Sequence, residues 1–271
     1  MLSRPPGARV AGESQDSPVK RVVRTYDLGT TDYADILALQ RRLQAARRDE
    51  GGADALLLTE HRPVFTLGRS HPKPDLKVGA EAVREAGIGI IQTERGGDIT
   101  YHGPGQLVAY GIIDLRAWGI GVLDYLTGLE DALTATLADW DVRGDRSARG
   151  RGVWVGDLKI ASVGLNVRRG VTMHGTALNS DPHMAHFDLI NACGMPDARM
   201  TSLAAEAGEE RGIAREVAAQ HLDGDRTLQA QVDPPVDLGH AAAADQLTHF
   251  VPSAEQTGLL AHCCLPIIRI I

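Results

Sequence analysis

The sequence predicts an α+β fold, a mixed sheet covered by few helices, and three observations carry that reading. Strand-like segments outnumber helical ones, and two of them, Val153–Val155 and Leu158–Val167, are joined by the hairpin-type turn Gly156-Asp157. Only two stretches repeat apolar residues at helical spacing. Strict alternation of strand and helix, the mark of a wholly parallel sheet, is missing.

Residues 1–19 lack periodicity and are rich in turn formers, so they are expected to be a flexible leader before a domain spanning 20–220. Thr31 or Asp32 caps a helix expected over 32–48. Ile36, Leu37, Leu39 and Leu43 form its apolar stripe, while Arg41, Arg42, Arg47 and Arg48 take the other side and the C-terminal end, where cations suit the helix dipole. Such a helix covers a sheet. Strands are expected at Ala55–Thr59, Val64–Leu67, Ile88–Thr93 and Leu107–Leu115, between turn-rich stretches such as Ser70–Asp75 and Arg95–Gly97. A second helix is expected over 122–139, with Val122, Tyr125, Leu126, Leu129, Leu133 and Leu137 on one stripe. Arg143–Arg151 reads as a charged loop, and Thr172–Leu178 as a further strand after the hairpin. Beyond Glu216 the pattern decays, and 221–271 is expected to be an extension without assignable elements.

Composition narrows the function classes. At 43% hydrophobic and 23% charged the chain matches a soluble globular protein able to bury a real core. Its 28 Lys and Arg against 35 Asp and Glu give a net charge of −7, the wrong sign for a protein held on nucleic acid by phosphate neutralisation. No apolar run reaches the roughly 18 residues of a membrane-crossing helix, so no membrane partner is expected. Met1–Lys20 lacks the apolar core of a secretory signal. Three cysteines, Cys193, Cys263 and Cys264, make no disulfide framework, and a cytoplasmic location is expected.

The densest unusual segment is Arg95-Gly96-Gly97-Asp98-Ile99-Thr100-Tyr101-His102-Gly103-Pro104-Gly105-Gln106. Its glycines let backbone approach a ligand while polar side chains orient it, although a rigid turn between two strands reads the same way. Neither a dinucleotide fingerprint nor a phosphate loop is present. Lys159 stands among apolar and small residues of a strand, either functional or an edge-strand lysine reaching water. Cys193 ends an apolar run and precedes Gly194. It is either an inert small hydrophobe or, beside a cation, a thiolate nucleophile. His174, His183, His186 and Cys193 match no trusted zinc spacing, so no metal is expected. Asp75, Asp98 and Asp157 are read as solvated turn residues.

Taken together, Arg95–Gln106, the run Lys159-Ile160-Ala161-Ser162-Val163-Gly164 with His174-Gly175-Thr176-Ala177-Leu178-Asn179, and Phe187–Gly194 resemble the lipoyl(octanoyl) transferases, in consistent order over about residues 22–210. The resemblance implies a biotin/lipoate protein ligase-like catalytic domain that moves an octanoyl group from octanoyl-acyl carrier protein to a lysine of lipoyl domains. The acceptors it implies are the 2-oxoacid dehydrogenase complexes and the glycine cleavage H protein. It further implies Cys193 as the acyl-thioester nucleophile and Lys159 as the group that lowers its pKa and shuttles protons. Arg95, Gly96, Gly97, Asp98, Ile99, Thr100, Tyr101 and His102, with Ser162, Val163, Gly164, Gly175, Thr176 and Ala177, would line the acyl site. Thr176 replaces a bulkier apolar residue of the family pattern.

Because the donor is already a thioester, neither ATP nor a metal is expected as cofactor. Amide groups near Gly96-Gly97 or Cys193-Gly194 would stabilise the oxyanion. A local basic area at Arg69, Lys73, Lys77, Arg168 and Arg169 would offset the net charge towards an acidic carrier. Rival readings are an ATP-dependent ligase on the same fold, a cysteine hydrolase pairing Cys193 with His174 or His102, and a non-catalytic carrier-binding module.

Overall fold

The computed structural model describes residues 23–70, 74–195, 198–208 and the Val232-Asp233 dipeptide, with backbone only for Cys193, Val232 and Asp233. The expected leader 1–19, Lys73, and Cys263 and Cys264 in the expected extension lie outside the described residues.

Strand β1 (Val23–Thr31) leads into helix α1 (Tyr33–Asp49), and the chain returns as β2 (Asp54–His61), parallel to β1. A three-stranded satellite sheet follows, built from β3 (Val64–Leu67), β4 (Gly89–Gln92) and β5 (Thr100–His102) around the short helix α2 (Ala80–Glu85). Strand β6 (Gln106–Ile112) re-enters the main sheet before α3 (Leu115–Trp118) and α4 (Val122–Ala138). A meander of β7 (Asp145–Ser147), β8 (Gly150–Val155), β9 (Leu158–Arg168) and β10 (Val171–Asn179) completes it. Strand β11 (Arg199–Met200), helix α5 (Leu203–Ala207) and β12 (Val232–Asp233) come last. The main sheet runs β12-β1-β2-β6-β10-β9-β8-β7, with β11 beside β9, and mixes parallel and antiparallel pairs as expected.

Each long helix covers one face. Ile36, Leu37 and Leu39 of α1 pack on Leu57, Tyr110 and Met173. On the other face Leu129 and Ala132 of α4 meet Leu56, Leu58 and Leu165. Alternate residues of β2 therefore enter opposite cores, which is why Ala55–Thr59 reads as an unbroken apolar run instead of alternating.

Two expectations are corrected. The strand expected to reach Leu115 stops at Ile112 because the Asp114 carboxylate caps α3, accepting from the amides of Arg116 and Ala117. The expected loop Arg143–Arg151 is largely a hairpin, pairing Ser147 with Gly150. Its strand β7 lies at the sheet edge, where exposed charged residues are tolerated and mask the strand pattern.

Glu130 fastens α4 to this hairpin. Only 2% exposed, it accepts from the Gly152 amide at 3.0 Å and from the Arg151 guanidinium at 3.1 Å. Glu130→Ala leaves that buried amide without its acceptor, a loss of about 1–3 kcal/mol. Urea unfolding is expected to show a lower midpoint with an unchanged slope.

Candidate functional site

The Arg95–Gln106 loop is held between the two sheets. The Arg95 guanidinium donates to the Thr66 carbonyl at 2.6 Å and hydroxyl at 2.9 Å on β3, while the Gly96 amide donates to the Leu165 carbonyl of β9 at 2.8 Å. Gly68 permits the approach, since a Cβ there would lie 2.1 Å from the Gly97 carbonyl oxygen.

Strands β9 and β10 supply the wall opposite. Their antiparallel register sets Ser162 against Ala177, Val163 against Thr176 and Gly164 against Gly175, so two triplets separated in sequence form one patch. A Cβ on Gly175 would stand 2.1 Å from the Ala109 carbonyl oxygen of β6, and one on Gly164 would press on the Gly96 carbonyl at 3.2 Å.

Between these walls is a cavity of about 570 Å³, within the range of small-molecule pockets. It is lined by all six triplet residues, by Arg95, Gly96, Gly97, Asp98, Thr100 and His102, and by Lys159. Ile99 and Tyr101 depart from the expected lining. Ile99, just before β5, and Tyr101 within it turn into the core of the satellite sheet, where Tyr101 packs edge-on against Phe65 and Phe187.

Lys159 is not the edge-strand lysine that one reading allowed. Strand β9 lies between β8 and β10, the residue is 3% exposed, and Nζ stands 5.5 Å from the Trp154 ring centroid. Gly152 leaves space for its stem, since a Cβ there would come within 2.9 Å of Cε.

Cys193 belongs to a short 3-10 turn, Ala192–Gly194. Ala192 is buried in the satellite core, and Gly194, at φ +65°, lies so close to the loop that a Cβ would meet Asp98 Oδ2 at 2.5 Å. Met195, two residues on, lines the cavity with Lys159. The Cys193 side chain lies outside the described residues.

Sequence reasoning missed Tyr33 and Tyr110 as cavity residues, named His174 only within the family motif, as a metal candidate and in the rival hydrolase reading, and assigned Val122 and Leu126 to the core stripe. Both lie in the first turns of α4, and they line the cavity. The basic area also moves. Of the described cations expected there, only Arg69 reaches the cavity, joined by Arg149 and Arg151 of the hairpin, whereas Arg169 pairs with Asp49 of α1. Two expected oxyanion donors are already engaged, the Gly96 amide with Leu165 and the Gly194 amide with Asn191.

Three buried histidines surround the inner wall. His61 Nε2 bonds the Tyr110 hydroxyl at 2.7 Å and Nδ1 the Thr31 hydroxyl at 3.1 Å, and His102 Nδ1 donates to Gln106 Oε1 at 2.6 Å. Burial is the main cause that pulls all three below the usual imidazole range, His61 to about 4 and His174 to about 3. The charge of His61 adds to the effect at His102, and that of Arg95 at His174. The unfolded chain binds the extra protons, so this stability is full above about pH 6.5 and drains as the pH falls towards 4. Denaturant titrations from pH 7 to 5 should show falling unfolding free energy, at up to about 1.4 kcal/mol per pH unit for each histidine. His61→Gln is expected to remove one proton from that slope.

Among the described residues no cluster of three or more His, Cys, Asp or Glu is arranged to hold a metal, and no helix is long and apolar enough to cross a membrane. His183 and His186 stack at 4.3 Å, and His186 Nδ1 bonds the Tyr101 hydroxyl.

Residues 32–222 match the family described as Lipoyl protein ligase A/B catalytic domain. The chain is 44% identical over 184 residues to the octanoyltransferase of Syntrophobacter fumaroxidans, covering 68% of this chain and 81% of that protein. It is 46% identical over 178 residues to the octanoyltransferase of Solibacter usitatus, covering 66% and 80%. A structure of a bipartite lipoate protein ligase and its E2 lipoyl domain from Thermoplasma acidophilum aligns with a TM-score of 0.54 at 14% identity, covering 73% of this chain and 80% of that one, a likeness of fold. The chain is an acyltransferase and belongs to the octanoyltransferase family, on a lipoyl protein ligase A/B catalytic domain.

Proposed function

We propose that the protein transfers an octanoyl group from octanoyl-acyl carrier protein to the lysine of a lipoyl domain through a thioester on Cys193, with 20–220 as the catalytic domain. The acceptors in this reading are the lipoyl domains of 2-oxoacid dehydrogenase complexes and the glycine cleavage H protein, met in the cytoplasm. The observation that carries it is one cavity lined by Lys159, by residues of the Arg95–His102, Ser162–Gly164 and His174–Ala177 stretches of the family pattern, and by Met195, two residues after Cys193.

The Lys159 ammonium favours the Cys193 thiolate, since a nearby opposite charge stabilises the ionised form. The sulfur attacks the octanoyl carbonyl, and the developing oxyanion is met by an amide, for which Gly97 in the cavity wall is the candidate. The carrier's thiolate leaves and takes a proton from Lys159. In the second half the acceptor amine attacks the Cys193 thioester, Lys159 takes the proton released as the amide forms, and Cys193 departs as thiolate. Charges and protons return to their starting state. Exchange of one thioester for another is close to isoenergetic, so the reading needs no nucleotide, and no metal enters any step. Apolar lining such as Val163 and Leu165 takes the alkyl chain, each buried methylene contributing about 0.8 kcal/mol.

Intact-protein mass spectrometry after incubation with octanoyl-acyl carrier protein tests this. The expected result is one octanoyl adduct mapped to the Cys193 peptide, chased by lipoyl domain into an octanoylated lysine. Pyrophosphate release with free octanoate and ATP, without transfer from the carrier, would establish a ligase instead.

A further inference from the structure

Trp154 is the bulkiest fully buried side chain among the described residues, yet it belongs to none of the four hydrophobic clusters they form. Two cations stand over its ring instead. Strand pairing sets Trp154 of β8 directly opposite Lys159 of β9, so the two side chains leave the sheet on one face. Lys159 Nζ is 5.5 Å from the ring centroid and the Arg149 guanidinium carbon 5.9 Å from it. The indole is fixed as well as buried, its Nε1 donating to the Gly150 carbonyl at 3.3 Å. It stands behind Lys159, outside the cavity lining.

An aromatic face attracts a cation through the ring quadrupole, best for tryptophan and best where water is excluded. The two cations differ in that respect. Arg149 is half exposed and donates to the Asp157 carboxylate at 2.6 Å, so the ring adds little to it. Lys159 is buried, and its stem is confined by Gly152, where a Cβ would lie 2.9 Å from Cε. Burial disfavours a charged amine, and a π face offsets part of that cost while fixing where the charge sits. The other groups on the cavity wall that carry or take up charge near neutral pH, Arg69, Arg95, Asp98 and Arg151 with the imidazoles of His102 and His174, are untouched by a change confined to the indole.

Resting on the transfer reading above, we infer that Trp154 is a positioning residue whose ring face holds the Lys159 ammonium, charged and in place, for the Cys193 sulfur. A weaker π face loosens that hold. The thiolate then loses part of its partner and forms only at higher pH.

The test weakens the ring face while nearly keeping its shape. Tryptophan carrying no, one, two or three ring fluorines is placed at position 154 alone, Trp118 and Trp140 staying as they are, and the full chain is alkylated with iodoacetamide across a pH series. The rate is read by mass on the Cys193 peptide, apart from Cys263 and Cys264. The alkylation midpoint is expected to climb with each fluorine, by at least about half a pH unit over the series. In a Lys159→Met background the same series is expected to be flat, since no ammonium remains to be held. A flat or falling series with Lys159 present, which an indole that only fills space would give, overturns the inference, as does a climb without Lys159. Failure of the unsubstituted protein to form octanoyl-Cys193 would instead overturn the transfer reading, and the alkylation series, which needs no acyl donor, still decides what the ring does.

Discussion

Cys193→Ser is expected to lower octanoyl transfer by at least about a thousandfold, roughly 4 kcal/mol of lost transition-state stabilisation, and to remove the octanoyl mass increase from the intact protein. The substitution changes one atom and little volume, so its effect reports chemistry. A thiol with an ordinary pKa of about 8.5 needs only a neighbouring cation to be largely ionised at neutral pH, whereas a hydroxyl is far too weak an acid for the same cation to ionise. An uncharged serine also needs a general base, and the two cavity imidazoles are weak ones, since burial pulls both His102 and His174 below the usual imidazole range. Cys263→Ser and Cys264→Ser, in contrast, are expected to transfer at the unsubstituted rate. Near-normal turnover by Cys193→Ser, or an adduct mapped to another cysteine, would reject the nucleophile assignment.

Much of the fold is legible in the sequence because single elements carry local signals. The α1 stripe of Ile36, Leu37 and Leu39, the run Val64–Leu67 and the Gly156-Asp157 turn all appear in the structure where periodicity and turn chemistry put them. What escaped is set by partners distant in sequence. Strand β7 has exposed charged residues and shows its identity only through pairing with β8. The start of α4 keeps the apolar period of a core helix, yet Val122 is 42% exposed because a cavity stands where a packing partner would be. For the site, the glycine-rich loop announced itself by composition. Tyr33 and Tyr110 carry no local mark, since an aromatic on a buried helix or strand reads as core whether or not a cavity adjoins it. Lys159 left two readings open for a related reason. Side-chain period alone cannot tell an edge strand from an inner one, and only the sheet order places β9 inside.

That burial makes Lys159 the more discriminating of the two substitutions. Lys159→Met keeps the stem against Trp154 and Gly152 and removes the charge. Lys159 is buried with partners of its own, and removing one member of a buried pair is destabilising, so the melting temperature is expected to fall while transfer falls about 10²- to 10⁴-fold, the usual worth of a positioned proton-transfer group. If the ammonium also poises the thiolate, alkylation of Cys193 at neutral pH must slow and its pH profile must move upward in the same variant. Lys159→Arg separates the two roles, because a guanidinium keeps the positive charge but does not give up its proton in the working range. Its thiol is expected to alkylate at close to the original pH, and the first half-reaction to proceed. The second half then lacks the base that receives the acceptor's proton, so octanoyl-Cys193 accumulates where Lys159→Met forms little of it. An unshifted alkylation profile in Lys159→Met removes the electrostatic role. Rapid turnover of the adduct in Lys159→Arg removes the proton shuttle, because the other cations on the cavity wall among the described residues, Arg69, Arg95, Arg149 and Arg151, lose a proton no more readily than the substituted arginine.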